Sequence, residues 1–436
     1  MKTSQLLLFF FLIFISLHAQ NPQWITYNTS NSGIPGNDVN SIAIDNAGNK
    51  WIGTRDGLAK FDGTNWTVYK KSNSGLPDDE VNSIAIDALG NKWIGTNSGL
   101  AVLSDTTWMF VYTSSNSELP NYPITAIAID GSGYKWIGTE GGGLVKCLDH
   151  PWTVYTINNS FLPHNSVTSI TIDGSGYKWI GTWNGGLAKF DGNLNWTIYH
   201  GPLGLYFNYV SSVAIDDSGH KWIGASRGLF KFDDTTWTVY NTSDGRHYNT
   251  SDTSFVSDYI NAIAIDGSWN KWIGTYDSGL VKFNGTNYTV YNTSNSGLPN
   301  NTVPIITIDK FGNKWMGTMD GGLTVYNEGG VVSVKEDKKN ITPTEFLLSQ
   351  NYPNPFNPTT VISYQLAASS YVTLKVYDVL GNEVATLVNE EKQSGSYQVS
   401  FNTQQTTNNR QLSSGVYFYQ LRTGSFVQTK KLVVLK

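Results

Sequence analysis

The ten residues DGSGYKWIGT occur at 130–139 and again at 173–182, and each copy places an acid and a base close to a Trp. A carboxylate beside an ammonium group can transfer protons, and repeated carboxylates can hold metal ions, so a duplicated catalytic site is one interpretation. The Trp and the Asp six residues before it nevertheless recur seven times: Asp45/Trp51, Asp87/Trp93, Asp130/Trp136, Asp173/Trp179, Asp216/Trp222, Asp266/Trp272 and Asp309/Trp315.

Seven identical pairs favour a structural role, because a catalytic site needs one constellation at one place. We expect each Asp to accept hydrogen bonds from backbone N–H groups of the following turn. The Lys before each Trp is expected to lay its stem over a neighbouring aromatic ring. No catalytic residue, metal site or cofactor is therefore assigned from this motif.

The histidines are the other candidates for chemistry. His164, His200 and His247 fall in connections on one predicted face, and His150 and His220 in turns on the other. A His close to Glu140 could abstract a proton, but no local motif joins these residues, so a lyase-type enzyme is the minority interpretation. The single cysteine, Cys147, stands where other repeats have Phe, which indicates a buried apolar filler.

The repeat predicts the elements that position these residues. Its period of about 43 residues is typical of solenoids and propellers. The first unit contains four alternating segments, VNSIAID (39–45), KWIGT (50–54), GLAKFD (57–62) and NWTVY (65–69), separated by Asp, Gly and Asn. Four short strands per unit predict one blade of a β-propeller.

The two ends of the repeat array predict a closed ring. The seventh unit, TVPIITIDKFGNKWMGTMDGGLTVYN, stops without a fourth strand, whereas QWITYNTSNSG near the N-terminus is nearly the same as NYTVYNTSNSG at 287–297. Trp24–Tyr27 would then supply the outer strand of blade seven and remove the open edges. The predicted fold class is all-β, with a seven-bladed, four-stranded propeller over 21–329.

The flanking regions differ in composition. Residues 1–20, with a Lys before an apolar run that ends near Ala19, are predicted to be a signal peptide. Residues 330–345 are charged and polar and are predicted to be a linker. Alternating segments at 371–379, 383–388, 395–403, 415–423 and 426–436 predict a small Ig-like β-sandwich over 346–436.

Composition excludes some function classes. The net charge is −5 and no basic tract is present, which argues against nucleic acid as a partner. No apolar segment after the leader reaches the length of about 20 residues that a membrane span needs. With one cysteine, an internal disulfide is excluded.

Two resemblances follow from these motifs. SVTSITIDGSGYKWIGTWNGGL (166–187) resembles the two-component regulator propeller repeat, and the resemblance extends over all seven units; in that family such propellers often form the sensing part of a membrane-bound kinase, which this sequence lacks. NYPNPFNPTT and the terminal KKLVVLK are similar to the type A C-terminal sorting domain of the type IX secretion system. This second resemblance implies that the type IX machinery is a partner, and that the protein is exported and either anchored at the surface or released.

The predicted binding residues lie where the blades differ. Loops between second and third strands share one face with the blade connections, and two of the fifteen Trp residues, Trp183 and Trp269, fall outside the repeated positions. Trp183 lies on this variable face and Trp269 on the opposite one. The predicted ligand-binding residues are Arg55, Asn97, Glu140, Trp183, Asn184, Arg227, Tyr276 and Met319. They indicate recognition of an extracellular glycan or protein; a loosely similar streptogramin lyase-type activity and a purely structural surface protein are the alternatives.

Overall fold

The structure is a computed structural model that describes residues 23–148, 151–200, 209–240, 257, 259–331, 346–351, 354, 356, 359–403 and 412–434. The predicted signal peptide and most of the predicted linker, with His150 and His247, lie outside these residues. The described part of the chain contains strands and turns and no helix. It holds no segment that could cross a membrane as a helix.

Seven antiparallel sheets of four strands form the blades, which confirms the predicted fold class. Blades one to three consist of β2 (Val39–Ile44), β3 (Lys50–Thr54), β4 (Gly57–Phe61), β5 (Trp66–Tyr69); β6 (Val81–Ile86), β7 (Lys92–Thr96), β8 (Leu100–Ser104), β9 (Thr107–Tyr112); and β10 (Ile124–Ile129), β11 (Lys135–Thr139), β12 (Leu144–Cys147), β13 (Thr153–Tyr155).

Blades four to seven repeat the order. They consist of β14 (Val167–Ile172), β15 (Lys178–Thr182), β16 (Leu187–Phe190), β17 (Trp196–Tyr199); β18 (Val210–Ile215), β19 (Lys221–Ala225), β20 (Gly228–Phe232), β21 (Trp237–Val239); β22 (Ile260–Ile265), β23 (Lys271–Thr275), β24 (Leu280–Phe283), β25 (Tyr288–Tyr291); and β26 (Ile305–Ile308), β27 (Lys314–Thr318), β28 (Gly322–Tyr326) with β1 (Trp24–Tyr27).

The N-terminal strand closes the ring as predicted. β1 pairs antiparallel with β28, in a register that sets Trp24 opposite Tyr326 and Tyr27 opposite Leu323. The Trp24 and Tyr326 rings stack with centroids 4.3 Å apart. Blade seven is therefore complete only when residues from both ends of the repeat array meet, so unzipping either end opens the ring.

Each second strand is buried along its whole length in all seven blades, from the Lys to the last residue, which is Thr in six blades and Ala225 in blade five. Its Gly permits close approach of the next blade. A Cβ on Gly138 would lie 2.6 Å from Cγ1 of Val167, the first residue of β14. Glycine is thus required here by interblade packing, although it weakens an ordinary strand.

The tail forms two further sheets. One contains β29 (Leu347–Leu348), β30 (Thr359–Leu366) and β33 (Gly395–Asn402), and the other contains β31 (Ser370–Tyr377), β32 (Glu383–Lys392), β34 (Gly415–Thr423) and β35 (Phe426–Val434). The run that carries the NYPNPFNPTT motif supplies β29 and β30, and the other five strands lie in the alternating segments. The motif also meets the end of the chain: Asn354 Oδ1 accepts from Val433 N at 2.7 Å, and Phe356 N donates to Val433 O at 2.9 Å.

Replacing Gly138 with Ala should destabilise the propeller by about 1–3 kcal/mol, because the new methyl group overlaps the buried Val167 side chain. Gly131, in the turn of the same blade, has no heavy atom within 4 Å of an added Cβ. Gly131→Ala is the matched control and should change the free energy of unfolding by less than about 0.5 kcal/mol. Chemical denaturation of both variants checks this, and equal effects would show that interblade approach does not select glycine.

Candidate functional site

The repeated Asp, Trp and Lys residues form the interfaces between blades. Each Asp accepts a hydrogen bond from the Trp indole of its own blade, at 2.8–3.0 Å. Each buried Lys ammonium lies 4.4–4.8 Å from the Trp centroid of the preceding blade: Lys50 over Trp315, Lys92 over Trp51, Lys135 over Trp93, Lys178 over Trp136, Lys221 over Trp179, Lys271 over Trp222 and Lys314 over Trp272.

Within these interfaces, burial and pairing with polar or charged neighbours have opposing effects on the pKa values of the Asp and Lys side chains. Burial works to raise the pKa of Asp130, but hydrogen bonds from Trp136, Lys178 and the Tyr134 backbone outweigh it, and the pKa falls below its ordinary value of 3.8. Burial lowers the pKa of Lys92, against the opposing charge of Asp45 in the preceding blade. These groups are engaged with one another between blades, so they are scaffold and leave no ring of free acids or bases for chemistry.

The variable face is built on a fixed backbone. In each blade the residue after the second strand donates its N–H, at 2.9–3.3 Å, to a carbonyl just before the first strand; the acceptor directly precedes that strand in six blades and lies three residues before it in blade seven. The seven donor–acceptor pairs are Arg55/Asp38, Asn97/Glu80, Glu140/Pro123, Trp183/Ser166, Ser226/Tyr209, Tyr276/Tyr259 and Met319/Thr302. The side chains of these two residues are therefore neighbours in every blade, at the opening of the ring on the variable face, which we call the mouth. The residue types at these two positions can change without altering the loop.

A β-bulge adds a third position to this mouth. In six blades the register of the first two strands shifts at the second residue of the first strand, as between Val39 and Ser41. A bulged residue leaves the ladder and its side chain is re-aimed. The bulged Thr125 and Thr168 donate to the Val167 and Val210 carbonyls of the next blade.

One cavity of about 330 Å³ opens at this mouth, across blades two to five, and we call it the mouth cavity. It brings together three of the predicted binding residues, namely Asn97, Glu140 and Trp183. Its lining residues are Glu80, Asn82, Asn97, Pro123, Thr125, Glu140, Ser166, Val167, Thr168, Trp183 and Tyr209.

Tyr276 belongs to an aromatic row that starts at this cavity. Trp183 contacts Tyr209 edge to face, with the ring centroids 4.8 Å apart. The centroid of Tyr209 lies 5.7 Å from that of Tyr259, which lies 5.8 Å from that of Tyr276. Trp183 and Tyr276, at the ends of the row, are 57% and 55% exposed. We call these four rings the aromatic row; it spans blades four to six.

The other predicted residues lie outside both features. Arg55 is engaged by carboxylates, with its guanidinium 3.3 Å from Asp38 and 3.7 Å from Glu80. Asn184, Arg227 and Met319 are exposed on the same face without lining the mouth cavity.

Sequence reasoning missed Glu80, Tyr209 and Tyr259, which precede the first strands of their blades. A signal was present, because these positions vary from blade to blade as freely as those after the second strand. The structure shows that the two variable positions of a blade are hydrogen-bonded neighbours.

The histidines do not form a catalytic cluster in the described residues. His164 Nδ1 accepts a hydrogen bond from Ser166 N at 3.0 Å, two residues on. Asp78, Ser257 and Asn300 accept from the backbone in the same way in other blade connections. His164 is therefore a turn residue. His200 is exposed, and His220 contacts Asp216 in a turn on the opposite face.

Two further residues match their predicted roles. Cys147 is buried, and burial raises the pKa of its thiol to about 12, which leaves it protonated and unreactive. Trp269 lies in a turn of the opposite face at a positive φ of 65°. Within the described ranges, no group of three or more His, Cys, Asp and Glu side chains is placed to hold a metal ion.

Charge on the variable face is predominantly negative. Among the described loop residues, the carboxylates Asp38, Asp56, Asp78, Asp79, Glu80, Glu118, Glu140, Asp277 and Asp320 stand against Arg55, Lys70, Lys71 and Arg227. Clustered charge of one sign raises the local concentration of oppositely charged ligands.

Residues 350–435 match the family described as the secretion system C-terminal sorting domain. The tail is therefore a sorting domain of the type IX system, and the protein is exported to the cell surface or secreted. No curated protein matches the chain in sequence.

The whole fold is similar to solved propellers. PorZ, an essential bacterial surface component of the type IX secretion system of Porphyromonas gingivalis, is 17% identical with a TM-score of 0.57, over 94% of this chain and 61% of PorZ. The extracellular domain of the hybrid two component system BT3049 of B. thetaiotaomicron is 19% identical with a TM-score of 0.58, over 95% and 57%. A streptogramin B lyase is 15% identical with a TM-score of 0.56, over 70% and 97%.

These likenesses establish the fold alone, because every identity is below 25%. The chain spans less than two thirds of the length of PorZ and of the BT3049 domain.

Replacing Asp130 with Asn should cost about 2 kcal/mol at neutral pH, because the charged partner of the Trp136 indole and of Lys178 is lost. A carboxylate whose folded pKa is depressed stabilises the protein above its unfolded pKa, and this contribution is lost as the pH falls through the folded pKa. The difference between wild type and variant should therefore persist down to pH 3.8 and shrink below it.

Unfolding free energies measured across this pH range check the prediction. Asp56→Asn, at an exposed loop position, is the control and should be neutral throughout. A difference for Asp130→Asn that is unchanged at acid pH would contradict an ionic role for Asp130.

Proposed function

We propose that this exported propeller binds an extracellular ligand, a glycan or a protein, through its variable face, with the mouth cavity and the aromatic row as the contact surface. The observation that carries the proposal is the aromatic row. Four rings from three blades touch in sequence, and the rings at both ends are more than half exposed. Contiguous exposed aromatic surface is unfavourable in water unless a partner covers it.

Packing does not account for the row. The seven scaffold Trp residues are buried and paired with Asp and Lys, whereas Trp183 lies on a loop whose backbone is already fixed by its hydrogen bond to Ser166. Its ring is therefore not needed to hold the loop. This supports a binding role for the variable face over a purely structural surface protein.

An enzyme is the less favoured alternative. Lyase propellers share the fold, as the streptogramin B lyase does, but His164 is engaged as a turn residue and is not among the residues that line the mouth cavity with Glu140. A general base must lie within hydrogen-bond reach of the proton that it removes. We therefore propose binding without turnover.

Replacing both Trp183 and Tyr276 with Ala should abolish most of the binding, with a loss of about tenfold or more per hot-spot ring, and leave thermal unfolding unchanged. Glycan arrays and pull-downs of surface proteins with the full mature chain provide the measurement. Trp269→Ala is the matched control, because this Trp is also exposed, at 45%, but lies on the opposite face. Binding that survives the double variant and is lost on Trp269→Ala would place the site elsewhere.

His164→Asn should retain both stability and ligand binding, because the Asn side chain accepts the same backbone hydrogen bond that Asn300 accepts from Thr302. His164→Leu should instead destabilise the connection by about 1 kcal/mol, since it leaves the Ser166 N–H without its partner. Thermal unfolding and binding assays distinguish these variants. Loss of a chemical activity in His164→Asn, with the fold intact, would favour the lyase interpretation.

A further inference from the structure

The mouth cavity holds more negative charge than its own residues neutralise. Glu80 and Glu140 both line it, and no Lys, Arg or His is among its lining residues. The Arg55 guanidinium, which pairs with Glu80, is shared: it lies 3.7 Å from the Glu80 carboxylate but 3.3 Å from that of Asp38. Within the described ranges no ion pair reaches Glu140, so the cavity carries an uncompensated carboxylate.

The carboxylates of Glu80 and Glu140 place hydrogen-bond acceptors on the polar floor of the cavity. Thr125 and Thr168 give their hydroxyl protons to backbone carbonyls of the next blade, and Asn97 gives an amide proton to Glu80 at 2.6 Å. An ionised carboxylate only accepts hydrogen bonds. A ligand group that donates several hydrogen bonds is complementary to these two carboxylates.

The wall of the cavity favours a cation in the same way. The exposed Trp183 ring meets Tyr209 at 77°, which gives two aromatic surfaces beside the carboxylates. The pKa of Tyr209 is raised by burial first and then by its neighbours Tyr259 and Glu140, which places the Glu140 charge close to this wall. A cation bound in this cavity would have both aromatic rings and carboxylates among its neighbours.

The scaffold of the same protein supplies the comparison. At the interface of blades three and four, Trp136 has Asp130 as its carboxylate partner and the Lys178 ammonium over its ring, 4.6 Å from the centroid. The mouth cavity also has a Trp ring and a carboxylate in its lining, those of Trp183 and Glu140. Among the described residues no cation lies over Trp183, so the third member of the set is left for a ligand.

We propose that the mouth cavity binds the basic side chain of a polypeptide partner, arginine in preference to lysine. The proposal rests on the proposed function, that the variable face is the binding surface. A guanidinium donates five hydrogen bonds in a planar fork and stacks on aromatic rings, which matches the Glu80 and Glu140 carboxylates and the Trp183 wall together. Neighbouring peptide residues would then lie along Tyr209, Tyr259 and Tyr276, because Trp, Tyr and Arg are the residues that dominate protein interfaces.

The test uses the full mature chain on an array of acetylated hexapeptides in which one position carries Arg, Lys, citrulline or norleucine. The Kd of the best Arg peptide and of its citrulline twin is then measured by calorimetry. Citrulline keeps the shape and removes the charge, and we expect it to bind at least about tenfold more weakly. Glu140→Gln should weaken the Arg peptide by about tenfold and leave the citrulline peptide unchanged. Raising the salt concentration should reduce only the Arg affinity.

Asp56→Asn is the matched control, because Asp56 is an exposed carboxylate of the same face that does not line the cavity. It should change the Kd by less than about twofold. If Asp56→Asn and Glu140→Gln had equal effects on the Kd, the peptide would be attracted by the overall negative charge of the face and not by the cavity, and the proposal would be overturned.

Two further arms separate this proposal from the proposed function. Neutral oligosaccharides or glucosamine oligomers that bind, while peptides do not, and that lose affinity on Trp183→Ala would overturn the basic-peptide proposal and leave the binding face intact. Failure of peptides, neutral glycans and amino sugars alike would count against both. Equal binding of the Arg and citrulline twins would show that the cavity does not select charge.

Discussion

The contact between a lysine ammonium and the Trp ring of the preceding blade is the interaction on which this fold depends. The Trp also donates a hydrogen bond to an Asp, so three residues take part. Asp and Trp belong to one blade, and Lys belongs to the next. A buried Lys loses hydration, and the neighbouring ring and carboxylate help to offset that loss. The contact with the ring cannot form within one blade. The last contact, Lys50 over Trp315, requires the ring to be closed, and this is why Trp24–Tyr27 must complete blade seven.

The same arrangement explains how the variable face can change while the fold does not. Stability lies in the interfaces and in the backbone hydrogen bonds that join the two variable positions of each blade. The side chains at those positions contribute little to either, so they can differ around the ring. The differences are distributed unevenly around the ring. The carboxylates of Asp38, Glu80 and Glu140 lie on blades one to three, and the aromatic row lies on blades four to six. A ligand that spans the mouth meets charge on one side and rings on the other.

Sequence reasoning reached the fold because the repeat carries its information locally. Asp, Gly and the K-W-[IM]-G-T strand specify the turn and the buried strand within one unit, and the strand bounds differ from the prediction by one residue or less in the first blade. Only part of the candidate site could be predicted from the sequence. Glu140 and Trp183 stand out at variable loop positions, but Tyr209 becomes a neighbour of Trp183 only through the packing of successive blades. His164 was ambiguous for a similar reason, since its hydrogen bond to Ser166 depends on the loop conformation.

The blade interfaces and the mouth cavity both contain a Trp ring and carboxylates, but the interfaces are buried and the mouth cavity is open to solvent. This difference in solvation decides what each can do. At the interface of blades three and four the Lys178 ammonium is buried during folding, so its desolvation is part of the stability of the protein. At the mouth the Trp183 ring and Glu140 are exposed, and a ligand cation would lose water only on arrival. Attraction across the half-open cavity is weaker per contact than in the interior but is long-ranged, because the surrounding carboxylates act together. The geometry therefore suits a reversible contact formed quickly, with affinity set by how many rings of the aromatic row the partner covers.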